Sequence, residues 1–479
     1  MNTMSAIVLA LCIVMITLSG CDVVKNRCPG NVRDVAAGFA DPQDSTRTKV
    51  WWFHGETETT REGITADLEA YRRAGVGGVV YYDQVHNKKT PGAFEAMSSE
   101  WWDMLIFSAR EAERLGLTFE CHVSNGYVAG GPWVTPDMGM QRLTSTDTSV
   151  VGGRRVELKL PVPKSSYYKD VAVLAFPVQP SWNDDSRRTV PQISSNVPTI
   201  DVDAVFAPGK KLTRIPSQNK GKSVYIELDF GRDFTARSIT YQVAPRGKAT
   251  TSATNVPGAP GDVFVGTGYQ VLPPLGQLEV SDDGVHYKPV CDLQPVYKAH
   301  SSWRQKTVAF PAVTARYFRL NLHDWQTPDK PRLDMQLGDV RLSSRACVDR
   351  WEEKAGLYSE YIDPDCTPVY TSSEVIDPSA IVDITRYFDE DGILRWDVPD
   401  GTWAVLRFSH VPTGSKTKHG RPNLMGLECD KMSAAAAELQ WNHYFGAIAD
   451  TLARHEIVLQ GMAMDSHEAG SQNWTPGFE

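Results

Sequence analysis

The spacing of apolar positions changes along the chain and divides it into stretches with two different periods. Between residues 46 and 148, the short apolar runs 49–53, 79–82 and 117–123 alternate with stretches of helical period. Continuous apolar strands separated by amphipathic helices are typical of a buried parallel sheet. The pattern therefore predicts the opening strands of a (β/α) barrel or of a doubly wound sheet.

Start signals for two helices lie between these strands. Residues 59–62 (Thr-Thr-Arg-Glu) fit a capping box, and Ile64 and Leu68 then mark one apolar helical face. Ser98 or Ser99 is the predicted cap of the second helix.

Strand alternation replaces the helical period from about residue 149 to residue 345. Residues 224–230 alternate apolar and polar side chains, and Asp282-Asp283-Gly284 indicates a hairpin between two further strands. This pattern predicts a β-sandwich inserted into the α/β domain. A second β-rich segment is predicted over residues 346–420.

The α/β pattern returns over residues 421–479. Ser433 is the predicted cap of a helix that runs to about Arg454, and the apolar run 457–464 is the fourth strand of this type. A closed barrel needs eight such strands. The predicted fold class is thus α/β plus all-β, with the first half of a (β/α)8 TIM-type barrel interrupted by an inserted β-sandwich.

The N-terminus predicts export. Residues 6–18 form an apolar run of signal-peptide length, too short for a comfortable membrane span, and Leu-Ser-Gly-Cys at 18–21 resembles a bacterial lipobox. Residues 1–21 are predicted to be a lipoprotein signal with Cys21 as the lipidated residue, and residues 22–45 a tether. A buried helix with a chance cysteine is the alternative. Lipid anchoring in the bacterial cell envelope, in the periplasm or at the cell surface, is expected.

Composition narrows the range of partners. The formal net charge of -9 excludes a basic nucleic-acid footprint. The 13 Trp and 17 Tyr residues include candidates for stacking on sugar rings. The cysteines after residue 21 are scattered, without CxxC pairs or metal-ligand spacing, so they are interpreted as structural.

The residues with the clearest chemistry follow the fourth predicted strand. Asp465, His467 and Glu468 lie where catalytic groups of barrels are found, at the carboxyl end of a strand. Glycoside hydrolysis needs a carboxylic acid on one side of the bond and a second carboxylate on the other. Asp465 and Glu468 are too close in sequence to form that pair by themselves. A solvated loop that leads into a helix cap is the alternative.

Five further residues are candidates for substrate binding, each with a structural alternative. His122 could contact sugar hydroxyls or be a hydrogen-bonded core histidine. Asp83 could bind substrate or calcium, or cap a helix. Glu428 could bind substrate or favour a helix N-terminus electrostatically. Trp133 and Trp474 could stack on sugar or belong to the core.

Several segments together resemble the bacterial α-L-rhamnosidases of glycoside hydrolase family 106. They occur in the family's order, at 51–55, 62–68, 73–79, 99–102, 130–136, 426–433 and 465–475. The resemblance implies a (β/α) barrel that removes terminal α-linked L-rhamnose with inversion and with calcium assistance. It also implies Glu468 as the general acid. His467 and the loop at 125–127 depart from the family pattern, which bears on sugar specificity.

The resemblance places the catalytic base beyond residue 479, and Glu428 is the fallback. The chain is therefore expected to be an N-terminal fragment with little or no hydrolase activity of its own. The insert at 149–345 resembles a discoidin-type, galactose-binding-like module. The expected partners are a rhamnose-containing oligo- or polysaccharide and, through the lipid anchor, a membrane. A glycan-binding surface lipoprotein without catalytic activity is the alternative function.

Overall fold

A computed structural model describes most of the chain. The described residues are 32–43, 46–55, 58–85, 94–179, 182, 185–209, 212–216, 222–244, 274–296, 305–323, 335–357, 366–465 and 472–478.

Nineteen strands lie in these described ranges. In chain order they are β1 (Lys49–His54), β2 (Gly78–Asp83), β3 (Thr118–His122), β4 (Gly130–Gly131), β5 (Gln141–Val151), β6 (Arg154–Lys159), β7 (Lys169–Pro177), β8 (Gln192–Ser195), β9 (Thr213–Ile215), β10 (Val224–Val243), β11 (Gly276–Ser281), β12 (Lys288–Leu293), β13 (Gln305–Leu322), β14 (Met335–Ser343), β15 (Val382–Asp383), β16 (Ile393–Val398), β17 (Thr402–Pro412), β18 (Leu427–Glu428) and β19 (Gly461–Ala463).

The α-helices of the same ranges are fewer and mostly short. They are α1 (Val32–Ala40), α2 (Arg61–Arg73), α3 (Ser99–Arg114), α4 (Val202–Phe206), α5 (Trp351–Lys354), α6 (Ala434–Gln440) and α7 (Gly446–Arg454). Single turns of 3-10 helix occupy Pro378–Ala380, Thr385–Tyr387 and Pro422–Leu424, and Trp441–Phe445 is a π-helical turn.

The chain divides into two compact units. The first comprises Met1–Tyr127, His419–Met425 and Trp441–Asp465, and the second comprises Val128–Lys418, Gly426–Gln440 and Ser466–Glu479.

A parallel four-stranded sheet is the centre of the first unit. Its strand order is β1-β2-β3-β19, so the four strands predicted from the apolar runs pair in the order of the sequence. The fourth strand is shorter than predicted, since pairing with β3 starts only at Gly461. The reason is a side chain: the amide oxygen of Gln460 accepts the Phe119 N–H at 2.7 Å, in place of a backbone carbonyl.

Helices α2 and α3 of this unit begin at side-chain caps. Thr60 accepts a hydrogen bond from the Gly63 N–H, one residue later than the predicted capping box, and Ser98 accepts from Trp101. Their buried positions, which include Ile64 and Leu68, follow the predicted helical face.

On the opposite face of the sheet, the side chains of β1 are partly exposed. Trp51 and Phe53 share that face with Tyr82, and each is 48% exposed among the described residues. Apolar side chains of this size are usually covered in a finished domain.

A bent antiparallel sheet occupies residues 192–343 of the second unit. Its order is β12-β11-β13-β10-β14-β9, with β8 also paired to β10. A register shift between Asp229 and Phe234 divides β10 into two halves with different neighbours. Side chains from both halves enter one apolar cluster, so this region is two-layered around a core of its own. The hairpin predicted at 282–284 connects β11 and β12.

A second antiparallel sheet contains strands from both sides of the predicted domain boundaries. Strands β5 and β7 both pair with β17, and β6 pairs with β16, so residues 141–177 and 382–412 form one β-structure. The predicted insert start at residue 149 therefore falls inside β5, and the predicted barrel segment 46–148 extends too far. Sequence alternation alone does not distinguish which of two neighbouring β-regions a strand joins.

The predicted helix at 433–454 is present with one interruption. Ser433 accepts a hydrogen bond from the Ala436 N–H at 3.4 Å, and α6 is followed by the π-helical turn and α7. The end at Arg454 agrees with the prediction.

Candidate active site

Four polar residues of the first unit lie at or just after the carboxyl ends of the parallel strands. His54, Asp83 and His122 are the last residues of β1, β2 and β3, and Asp465 lies two residues after β19. Parallel strands end at the same edge of a sheet, which is where barrel enzymes carry their catalytic groups. Three of these four residues were expected from the sequence, and His54 was not.

Asp465 is exposed but held by two contacts. Its Oδ2 accepts a hydrogen bond from the Tyr82 hydroxyl at 2.9 Å. Its backbone N–H donates to His122 Nε2 at 2.9 Å. Asp465, the first residue of the predicted acid motif, is therefore positioned by side chains of β2 and β3.

His122 uses both ring nitrogens within the protein. Because Nε2 accepts from Asp465, the ring proton belongs on Nδ1, which lies 2.9 Å from the carbonyl oxygen of Ser124. Burial lowers the pKa of His122, although the Ser124 carbonyl and Asp465 oppose that shift. These contacts match the alternative of a hydrogen-bonded core histidine, and a contact with substrate stays a prediction.

Asp83 is fully buried and binds three donors. Arg421 Nε donates to Oδ1 at 2.7 Å, while Trp101 Nε1 at 3.0 Å and Asn125 Nδ2 at 2.8 Å donate to Oδ2. Burial raises the pKa of Asp83, and Arg421 and the other donors oppose the rise. Asp83 is not a helix cap. Three side chains donate N–H groups to its carboxylate, and a role in binding substrate or calcium stays a prediction.

Arg421 and Asn125 complete this buried network and were not predicted. Arg421 donates its backbone N–H to Asn125 Oδ1 and its Nη1 to the carbonyl of Phe94. Asn125 Nδ2 also lies 3.4 Å from the Tyr444 hydroxyl. The one available signal was chemical, since a buried acid at a strand end requires a cation, but nothing local in the sequence identifies which arginine supplies it.

His54 is the other residue that sequence reasoning missed. Its ring stacks on Tyr81 with centroids 4.3 Å apart. Burial, and secondarily Arg421, lowers the pKa of His54 to about 3, so the imidazole is neutral. Its Nε2 is buried and has no hydrogen-bond partner among the described residues.

Glu428 is a fully buried acid of the second unit. It lies on β18 beside Gly130, and one carboxylate oxygen pairs with Lys431 Nζ. The other oxygen, Oε2, is buried without a hydrogen-bond partner in the described part of the chain. Glu428 therefore offers one unused acceptor, its Oε2.

Asp430 binds the C-terminal part of the segment 465–475. It accepts hydrogen bonds from the Thr475 hydroxyl at 2.7 Å, the Met432 N–H at 2.9 Å and the Gln472 side-chain amide. Asp430 was not among the predicted site residues. Glu428, two residues upstream of Asp430, was a predicted site residue.

The two candidate stacking residues are largely enclosed. Trp133 is half-buried and donates its Nε1–H to Gln440 Oε1 at 3.1 Å. Trp474 is buried, with its ring edge-on to Phe478 at a centroid distance of 5.7 Å. Both environments match the core alternative, and stacking on sugar stays a prediction.

Other predicted residues lie outside the described residues: His467, Glu468 and Cys21. Within the described ranges no three His, Cys, Asp or Glu side chains converge on a metal position, so calcium stays a prediction from the resemblance. None of the described helices has the length and apolarity needed to cross a membrane. No disulfide joins the five described cysteines, Cys347 and Cys366 included.

Comparison with known proteins gives one family match. The model of glycoside hydrolase family 106, described as alpha-L-rhamnosidase, matches residues 40–479. A solved rhamnosidase from Novosphingobium sp. PP1Y is 29% identical with a TM-score of 0.73, over 92% of this chain and 40% of that chain. A protein of Formosa agariphila that is provisionally named a beta-glucuronidase is 22% identical over 98% of this chain. The chain spans 26% of the length of that relative.

Proposed function

Because the chain belongs to the alpha-L-rhamnosidase family of glycoside hydrolases, we propose that the whole protein removes terminal α-L-rhamnosyl residues from glycans. The proposal adopts acid and base catalysis with inversion, as the resemblance implies. It is supported by the family match over residues 40–479 and by the likeness to a solved rhamnosidase. The chain spans less than half of that rhamnosidase, so the activity is proposed for the complete protein.

Asp465 is the observation on which the site assignment depends. An exposed carboxylate, held by Tyr82 and His122 at the carboxyl edge of the parallel sheet, lies three residues before Glu468. We propose Glu468 as the general acid that protonates the glycosidic oxygen. Its role would be to hold a proton at the pH of the reaction and to donate it as the bond breaks.

The catalytic base is proposed with less detail. An inverting enzyme needs a second carboxylate about 6.5–9.5 Å from the acid to activate water. Glu428 is the fallback, because its Oε2 has no hydrogen-bond partner among the described residues. Its other carboxylate oxygen pairs with Lys431.

We propose that the four parallel strands are half of a (β/α)8 barrel, which their sequential order and the exposed Trp51 and Phe53 support. Export, lipid anchoring at Cys21 and calcium assistance are proposed from the lipobox and the family resemblance.

Glu468→Gln in the full-length protein tests the acid. Glutamine cannot donate the proton, so turnover of an aryl α-L-rhamnoside with a poor leaving group is expected to fall by about 10²–10⁴. The loss should shrink with a better leaving group such as dinitrophenol, which departs without protonation. Rhamnose binding should be retained.

Glu438→Gln is the matched control, since Glu438 is an exposed residue of α6. It should leave turnover unchanged. Unchanged turnover in Glu468→Gln would exclude that residue as the acid. An aryl β-glucuronide as second substrate tests the specificity suggested by the name of the Formosa relative, and its faster cleavage would refute rhamnose specificity.

A further inference from the structure

The outer face of the two-layered sheet carries an ordered polar and aromatic cluster that the proposed reaction does not use. In the pairing of β10, β13 and β11, Glu227 and Glu279 lie on either side of Arg319. Tyr225 lies opposite Asn321 in the next row. The residues that alternate with them enter the apolar core, so these five side chains share the face directed away from it.

Arg319 is the centre of this cluster. Its guanidinium carbon lies 3.6 Å from the ring centroid of Tyr287 and 4.4 Å from that of Tyr225. Both distances are within the range of a cation–π contact. Glu279 binds the same guanidinium with two bonds, to Nε at 2.7 Å and to Nη2 at 2.6 Å. The two rings are therefore held against a fixed planar group.

Both tyrosine rings remain half-exposed. Aromatic rings that are already fixed in orientation lose little conformational entropy when a ligand packs on them. A sugar ring has a flat apolar side formed by its C–H groups and a rim of hydroxyls. The fixed rings of Tyr225 and Tyr287 suit the flat apolar side of the sugar ring.

An unused hydrogen-bond acceptor in the cluster suits the hydroxyl rim of a sugar ring. Asn321 donates its Nδ2–H to Glu279 Oε1 at 2.8 Å. Its Oδ1 is buried and has no hydrogen-bond partner among the described residues. A buried acceptor without a partner is unfavourable, and a ligand hydroxyl or a water would satisfy it.

The charge of the cluster selects the kind of sugar. Glu227 lies 3.9 Å from Arg319 Nη1, so two carboxylates accompany one guanidinium. Burial, with Glu227 next in importance, raises the pKa of Tyr287 to about 12, so its hydroxyl stays neutral. The excess negative charge disfavours a uronate or sulfated sugar.

We propose that Tyr225, Arg319 and Tyr287 form a second, non-catalytic binding site for neutral glycans on the outer face of this sheet. That the bound glycan is a deoxyhexose chain of the kind that the enzyme cleaves rests on the proposed function. A site of this kind raises the local concentration of substrate at the catalytic centre of the same molecule.

The test is a titration of the full chain, observed by ligand NMR, with an α-linked L-rhamnose disaccharide. A galacturonate disaccharide is the acidic probe. We expect saturable binding of the neutral probe only, and removal of one binding component, or at least a tenfold loss of affinity, in both Tyr225→Ala and Tyr287→Ala. Tyr287→Leu, which keeps side-chain bulk without a ring, replaces Tyr287→Ala if that variant does not fold.

Tyr387→Ala is the matched control. Tyr387 is a 37% exposed tyrosine with Arg386 at 4.7 Å from its ring, on a different part of the second unit. Its removal should leave binding unchanged. Unchanged binding in the variants of both cluster tyrosines, no binding of the neutral probe at all, or preference for the acidic probe would overturn the inference.

The two proposals fail separately. Loss of turnover in Glu468→Gln with unchanged binding in the tyrosine variants would support the reaction and refute the second site. Binding that depends on Tyr225 and Tyr287 in a protein that does not cleave aryl rhamnosides would do the reverse.

Discussion

Replacing Arg421 by methionine removes the cation that accompanies the buried carboxylate of Asp83. The two side chains are 3% and 0% exposed, and Nε lies 2.7 Å from Oδ1. Removal of one partner of such a pair typically costs about 3–5 kcal/mol of unfolding free energy, because an uncompensated charge stays buried. Loss of the Nη1 bond to Phe94 adds about 1 kcal/mol.

The pH dependence of this cost has a definite sign. Burial raises the pKa of Asp83 and Arg421 opposes the rise, so the pKa should climb further in Arg421→Met. A folded pKa above the unfolded one means that the folded state binds the extra proton between the two values. The contribution to stability is then present below the unfolded pKa of about 3.9 and is lost as pH rises through the folded pKa. The variant should therefore be closer to the native stability at pH 4 than at pH 7.

Urea unfolding at both pH values, followed by fluorescence and circular dichroism, measures this cost. Arg155→Met is the control, because Arg155 and Asp397 are 68% and 78% exposed and 3.6 Å apart, and such pairs contribute about 0–1 kcal/mol. Asp83→Asn combined with Arg421→Met should cost less than the sum of the single changes. A cost for Arg421→Met no larger than that of the control, or one that is equal at pH 4 and pH 7, would refute the reasoning.

Three further predictions follow from burial and from the proposed barrel. The pKa of His54 is about 3 in the folded protein and 6.5 in the unfolded chain, so the free energy of unfolding should rise with pH between those values by up to ~5 kcal/mol. His54→Phe should reduce this pH dependence. Unfolding curves recorded across the acid range will check it. Burial raises the pKa of four described thiols, so peptide mapping after brief alkylation at pH 8 should find exposed Cys366 modified before them. The four thiols are Cys121, Cys291, Cys347 and Cys429. Residues 1–479 alone should release little phenol from an aryl α-L-rhamnoside, because the described parallel sheet has four strands where a closed barrel needs eight; steady release would contradict this.

The local elements were the most predictable part of the fold. Apolar runs and caps located the strands that end at Asp83 and His122, and the helix that begins after Ser98, to within a residue or two. These signals depend on side chains two to four positions apart, so the sequence carries them directly. The fourth strand was predicted too long because the Gln460 side chain replaces a backbone partner, which no period reveals.

The candidate site was predictable only in outline. Asp83, His122 and Asp465 were predicted as site residues, and all three lie at the carboxyl edge of the parallel sheet. The residues that form hydrogen bonds with these three side chains were not expected. Arg421 is 338 positions from Asp83 in the sequence, and its neighbours carry no period that would bring it there.

The sequence by itself determined the periods of the strands and helices, the family resemblance and the position of the acid motif after the fourth apolar run. Only the tertiary structure decided which distant segments pair: residues 141–177 with 382–412, and Arg421 with Asp83. The physical reason is that secondary structure follows from neighbouring side chains, while burial of a charge or of a sheet edge is satisfied by whichever segment the fold brings near.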